Sequence, residues 1–357
     1  MRALIAPLLL LAVTPFFSAP ASAREVPPLE QLLSQARTPA PPAPAPPAPE
    51  IALPLPPETS VPGTDVTAGY DSALAAASSS SDAVYAGLLK DYKVIFVPGF
   101  LSDFDPATIH IPGVTFQHKI YFDEQLAWLK RLGVETSRLS MKSEDSVAQN
   151  APAVEAAIRS SDKPVILIAH SKGGLDTLEA LLSDRALLSK VRGLITLQSP
   201  FSGTPVADYV VAHTTLDDIA VDLLLKLGGN KESMINMTTD NRVPYMEANS
   251  AGVAAVEAAV PVLSVATWKD PVPGKFDTKL KPVRDFLLRR GLRNDGLVPV
   301  SSALLPGSYY IKIPGLDHTV TVRPSNYIPL DRVAMTKALL REFFSLPVRP
   351  AGHAGIL

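Results

Sequence analysis

Cysteine is absent from the 357-residue sequence. That excludes disulfides, thiolate metal sites, cysteine nucleophiles and a lipidated N-terminal cysteine. Charge is scarce and nearly balanced: charged residues make up 19%, and 33 basic against 35 acidic side chains leave a formal net charge of -2. Nucleic-acid binding is excluded as a main role, because a phosphate-binding surface needs a strong basic excess. Histidine is rare, with 6 in the chain, which makes the choice of a general base short. Hydrophobic residues at 46% suffice for a core, so wholesale disorder is excluded.

Proline is plentiful, at 35 residues, and unevenly spread. Between Pro39 and Pro62, 11 of 24 positions are proline, interspersed with alanine. Such a stretch lacks amide donors and favours extended polyproline II over helix or sheet. Residues 24–82, closed by the polar tract Ser78–Ser81, are expected to be a non-globular linker or stalk. Before it, Arg2, an apolar run from Ala3 to Phe17 and Ala21-Ser22-Ala23 follow the pattern of a cleaved export signal. Pro7 and Pro15 interrupt that run, and it falls short of the ~20 apolar residues of a membrane span. Residues 1–23 are therefore expected to direct export, to the periplasm or beyond.

From about Val84 the texture becomes globular. Short apolar runs at Val94–Val97, Val165–Ala169, Leu194–Leu197, Val262–Ala266 and Tyr309–Ile313 alternate with helical spacing at Glu124–Leu132, Val154–Ile158 and Leu175–Leu182. Buried strands alternating with amphipathic helices predict an α/β fold with a mostly parallel sheet. The catalytic domain is expected over 83–350, followed by a short tail at 351–357. Residues 205–260 break the alternation and hold the apolar stretch Ile219–Leu227. An insertion of that length predicts either a helical lid or cap or an ordinary excursion packed on the sheet.

The chemistry is concentrated after the second run. Ala169-His170-Ser171-Lys172-Gly173 is a G-x-S-x-G pattern with alanine in first place, preceded by a strand and followed by a helix. That context is what a sharp strand-to-helix turn needs to hold a serine exposed above the sheet edge, with small neighbours allowing close backbone approach. A nucleophilic serine of this kind requires an acid and then a histidine later in the chain. His110 and His118 precede Ser171, His170 lies inside the turn and points away from the attack face, His213 is in the insertion and His353 in the tail. His318, in the loop after the last strand run, remains. Two acids stay open: Asp295 in the turn Asn294-Asp295-Gly296, and Asp270 after the run Val262–Ala266, with Asp295 preferred. Asp317 adjoins His318 too closely for easy side-chain pairing. No metal-ligand cluster is visible, and the chemistry calls for no cofactor.

Ala169–Gly174 resembles the nucleophile elbow of α/β-hydrolase lipases and esterases, and the resemblance extends over most of residues 93–320. Val94–Phe100 is similar to the bacterial lipase strand that ends in His-Gly, with Pro98 in place of the histidine. Ser146–Ala151 resembles the segment before the nucleophile strand. Gln198–Gly203 stands where such lipases carry Gly-Thr-Pro-His-x-Gly. Met237–Thr239 with Tyr245-Met246 resembles a cap pattern, and Asn294–Val298 the acid segment. The resemblance implies an α/β-hydrolase fold and a Ser171–Asp295–His318 triad. The backbone N–H groups of Phe100 and Lys172 would form the oxyanion hole, with the Lys172 side chain expected in solvent. It implies hydrolysis of lipid-like or apolar acyl esters, with contact at a lipid interface. A short-chain esterase, a polyester depolymerase and a catalytically silent binding protein are the alternatives. Some lipases bind calcium through an Asp two residues after the histidine. That position is Val320 here, so no calcium is implied.

Overall fold

The structure is a computed structural model that describes residues 60–100, 102, 121–212 and 231–347. The chain divides into Met1–Pro49, outside the described residues, and one compact unit, Glu50–Leu357. In chain order the unit runs β1 (Thr64–Asp65), α1 (Thr67–Ala77), α2 (Asp82–Leu89), β2 (Lys93–Val97), α3 (Asp123–Arg131), β3 (Glu135–Arg138), α4 (Val147–Arg159), β4 (Val165–His170), α5 (Lys172–Ser183), β5 (Val191–Leu197), α6 (Pro205–Ala212), α7 (Lys231–Ile235), α8 (Thr239–Ala248), α9 (Ser250–Ala259), β6 (Val262–Trp268), α10 (Lys281–Leu288), α11 (Val300–Ala303), β7 (Tyr309–Pro314) and α12 (Arg332–Ser345). The strands form one parallel sheet in the order β1-β7-β6-β5-β4-β2-β3.

The five strands expected from apolar runs are β2, β4, β5, β6 and β7. The two unexpected ones are the sheet's edges. β3 reads Glu-Thr-Ser-Arg and β1 Thr-Asp, with no apolar run to reveal either. Polar, short edge strands discourage pairing with other chains. In the centre, side-chain alternation splits the core between two faces. Ile95, Val97, Leu167 and Ala169 join one hydrophobic cluster with Val154 of α4 and Leu178 of α5. Val94, Phe96, Ile166 and Ile168 join the other with Trp128 of α3 and Phe343 of α12. Both faces of a parallel sheet are thereby covered.

The linker boundary expected at residue 82 is too late. Thr64 and Asp65 pair with Tyr309 and Tyr310 of β7. α1 buries Tyr70, Ala73 and Ala77. Its alanines resemble the low-complexity tract in composition, but their spacing makes a small-residue face that lets a helix approach closely. At Gly69 even a Cβ would stand 2.3 Å from the Glu342 carboxylate of α12. In the insertion, Ala207, Val210, Met234, Met237, Val253 and Val256 are buried in the first cluster, so α6, α7 and α9 are fastened to the body. The apolar stretch Ile219–Leu227 lies outside the described residues, as do His110, His118, His213 and His353. No helix among the described residues is long and apolar enough to cross a membrane.

Candidate active site

All seven strands point the same way, so their following loops gather at one edge of the sheet. The turn after β4 is the sharpest of them. Ser171 has φ 54° and ψ -130°, a conformation that costs an L-residue of order 1–3 kcal/mol and persists only where the surroundings impose it. They do so here. The Ser171 N–H donates to the Leu197 carbonyl of β5 at 2.9 Å, and the Gly174 N–H to the Ser171 carbonyl at 3.0 Å. Glycine is needed on three sides. A Cβ on Gly173 would stand 2.5 Å from the carbonyl oxygens of Val97 and Pro98. One on Gly174 would stand 2.0 Å from Ser199 Oγ, and one on Gly99 2.7 Å from Ser171 Cβ.

Ser171, Asp295 and His318, more than a hundred residues apart at the extremes, meet at this edge. His318 Nδ1 lies 2.8 Å from Asp295 Oδ2, and His318 Nε2 lies 2.9 Å from Ser171 Oγ. The carboxylate can only accept, so Nδ1 carries the proton of the neutral ring. Nε2 is left as the acceptor for the serine hydroxyl. All three residues are buried or nearly so.

Asp295 is held by its own turn. Asp295 Oδ1 accepts from the N–H groups of Leu297 at 2.9 Å and Val298 at 2.8 Å, which leaves Oδ2 for the histidine. Asn294 Oδ1 accepts from the Gly296 N–H at 2.8 Å, and Gly296 takes φ 103°. The Asp295 carbonyl also accepts the His318 N–H at 2.8 Å, so the two residues are joined through backbone as well as side chain. Asp270, the alternative, is occupied elsewhere: its Oδ2 accepts from Trp268 Nε1 at 3.2 Å. Asp317 is structural. Its Oδ2 accepts from Thr278 Oγ1 at 2.7 Å, and its Oδ1 caps the amides of Thr319 and Val320.

The Lys172 side chain departs from expectation. It is fully buried, and Nζ donates to both oxygens of Asp176, at 2.9 and 3.2 Å. The two are one turn apart on α5, buried on a face turned toward α4, where Asn150 Nδ2 lies 3.3 Å from Asp176 Oδ2. Burial lowers the lysine pKa and raises that of Asp176 to about 6; desolvation outweighs the mutual attraction on both sides. The Lys172 amide opens α5, where no intrahelical acceptor exists. Phe100 is half-buried directly after Gly99, the residue whose Cα faces Ser171.

His170 and Gln198 are two site residues that sequence reasoning did not use. His170 is buried at the end of β4, with its ring centroid 4.8 Å from that of His318. Burial, with the nearby His318, holds its pKa well below the usual imidazole range. Gln198 follows β5 at φ 56° and is fully buried. A non-glycine residue with left-handed backbone beside the Ser171 turn is a signal of constraint, but φ is invisible in a sequence.

No protein-family model and no curated protein matches the chain. Solved structures do. A metagenomic carboxyl esterase, MGS0156, shares 20% identity over 71% of this chain and 76% of its own, with a TM-score of 0.55. The mature lipase BlEst2 of Bacillus licheniformis shares 21% identity over 64% of this chain and 84% of its own, at a TM-score of 0.49. The first likeness, with the parallel sheet and its helical layers, shows that the chain has the α/β-hydrolase fold.

Proposed function

We propose that the chain is an exported serine ester hydrolase that cleaves lipid-like or other apolar acyl esters through an acyl-enzyme. The observation that carries it is the continuous line from Asp295 Oδ2 through the His318 ring to Ser171 Oγ. The fold shared with a carboxyl esterase supports it. As Ser171 Oγ bonds to the ester carbonyl carbon, its proton passes to His318 Nε2 and the carbonyl π pair moves to oxygen. Asp295 keeps Nδ1–H in place and stabilises the imidazolium. The oxyanion would be met by the N–H groups of Phe100 and Lys172, the first supplied by the loop that Gly99 lets close against the serine. Re-formation of the carbonyl breaks the bond to the alkoxy oxygen, which takes the Nε2 proton and departs as alcohol. Water repeats the sequence in reverse roles: His318 takes its proton, hydroxide bonds to the acyl carbon, and the acid leaves as Ser171 Oγ regains a proton.

An apolar substrate is supported by an exposed aromatic pair on the same sheet edge. Phe276, in the segment after β6, and Tyr327, in the segment after β7, stand with ring centroids 5.2 Å apart. Such a pair suits an apolar acyl chain or a lipid interface. Export rests on the N-terminal segment. The test is labelling of the native protein by a fluorophosphonate, together with a chain-length series of p-nitrophenyl esters. Ser171→Ala should remove the label and lower turnover at least ~10³-fold. Activity within tenfold of wild type would place the nucleophile elsewhere. A wild type that neither labels nor turns over would favour a silent binding protein, and activity on acetate alone a short-chain esterase.

A further inference from the structure

We infer that His170 and Gln198 form a paired clamp that positions the base, by holding two consecutive backbone carbonyls of the histidine loop. This rests on His318 being the general base proposed above. His170 ends β4 and Gln198 follows β5, neighbouring strands in the sheet. His170 Nε2 is 2.9 Å from the His318 carbonyl oxygen. A carbonyl only accepts, so Nε2 must carry the proton. Because burial keeps this ring neutral, that donor persists. Gln198 Nε2 donates to the preceding carbonyl, that of Asp317, at 3.0 Å, and to Thr267 Oγ1 at 2.5 Å. Its Oε1 accepts from Thr321 Oγ1 at 2.6 Å, farther along the same loop. All the amide's heavy atoms are thus engaged, three residues of the loop and β6 being joined through one side chain.

The backbone geometry supports a positioning role. Gln198 has φ 56°, where glycine would be free of strain. Its N–H is fastened to the Val265 carbonyl at 2.8 Å. The strained backbone aims the amide at the loop, and glycine there would forfeit every side-chain bond just described. Together with the His318 N–H on the Asp295 carbonyl, the clamp holds the loop from both sides of the base. The imidazole can then meet Ser171 Oγ and Asp295 Oδ2 at once. A base displaced by about 1 Å loses on the order of 10²-fold in rate.

The test compares His170→Asn, His170→Gln and Gln198→Gly in the full chain. Glutamine carries its amide nitrogen about as far out as histidine Nε2, whereas that of asparagine stops near Nδ1. Gln198→Gly eases the backbone while it deletes the amide, so it remains informative if the His170 variants do not fold. We expect His170→Asn and Gln198→Gly to lower kcat by roughly 10–100-fold with KM little changed, and His170→Gln to recover most of the loss. Ser308→Ala is the control for stability alone, since it removes buried hydrogen bonds to Ser264 Oγ and the Leu305 carbonyl in another part of the fold. It should lower Tm and spare kcat. The His318 Nδ1 proton, read by proton NMR at low field, should broaden or vanish in His170→Asn, and this holds whether or not the protein turns over an ester. Wild-type kcat and an unchanged Nδ1 signal in both His170→Asn and Gln198→Gly would overturn the clamp, as would equal losses in the asparagine and glutamine variants. A sharp wild-type Nδ1 proton that is lost in His170→Asn, with no labelling of Ser171, would instead refute the hydrolase proposal while supporting the hold of His170 on the His318 ring.

Discussion

Replacing Lys172 by methionine removes the cation from a buried pair and leaves the Asp176 carboxylate buried on the side of α5. Both side chains are essentially inaccessible to water. What remains to Asp176 is the Asn150 amide, whose Nδ2 lies 3.3 Å from Oδ2. Removing one partner of a buried pair costs about 3–5 kcal/mol, whereas replacing both by apolar groups is often neutral or stabilising. Lys172→Met should therefore lose about that much at pH 7.5, and Lys172→Met/Asp176→Leu should return to within about 1 kcal/mol of wild type. Proton linkage adds a second signature. An unfolded aspartate titrates near its ordinary value of 3.8, and in the folded protein Asp176 titrates at about 6. Between those values the folded chain holds a proton that the unfolded chain lacks. The contribution favours folding at pH 4 and is lost as pH rises through 6; at 1.36 kcal/mol per unit it is worth about 3 kcal/mol. Without Lys172 the carboxyl takes up its proton at still higher pH, so the penalty of Lys172→Met should shrink at pH 5. Urea unfolding followed by the fluorescence of Trp128 and Trp268 at pH 7.5 and 5.0 measures this. A loss below about 1 kcal/mol at pH 7.5, or an equal loss at both pH values, would refute the buried pair.

Asp295→Asn should lower kcat at least ~10²-fold, because an amide at Nδ1 favours the wrong tautomer. Asp270→Asn, at a carboxylate that accepts from Trp268 Nε1, should keep most activity; the reverse outcome in steady-state kinetics would move the acid. Gly173→Ala drives a Cβ into two backbone carbonyls at 2.5 Å, and should cost at least ~1–3 kcal/mol in denaturant unfolding. Wild-type stability would mean the elbow is looser than its geometry. Deleting residues 24–59 should leave Tm nearly unchanged, since proline-alanine chain builds no core. Extending the deletion to residue 80 strips β1 and α1 from β7 and α12 and should lower Tm by several degrees. Equal Tm values for the two truncations would show that α1 contributes nothing.

Much of the candidate site is legible in the sequence. Strands β2, β4, β5 and β6 are buried almost throughout, because helices cover both faces of the parallel sheet, and their apolar runs are visible in a sequence. Ser171 was marked by its small neighbours, whose size is dictated by atoms 2.0–2.7 Å from where a Cβ would be. His318 is pointed to by the scarcity of histidine and the chain order that a serine nucleophile requires, and Asp295 by its likeness to the lipase acid segment and its nearness to the last strand. The edge strands β1 and β3 were hidden, since an edge strand need bury nothing. α1 was hidden because alanine serves a linker and a close-packed helix equally well. Charge ordinarily means exposure, so the sequence suggests a solvated Lys172 side chain; only the packing of α5 shows it buried against Asp176. The roles of His170 and Gln198 are hidden for a related reason. Their roles depend on which carbonyl lies within 3.0 Å, and that is decided when strands β4 and β5, set side by side, meet a loop more than a hundred residues further along the chain. Local pattern records which residues must be small, apolar or reactive. The partner of a buried polar group is fixed by long-range packing, and no spacing in the chain encodes it.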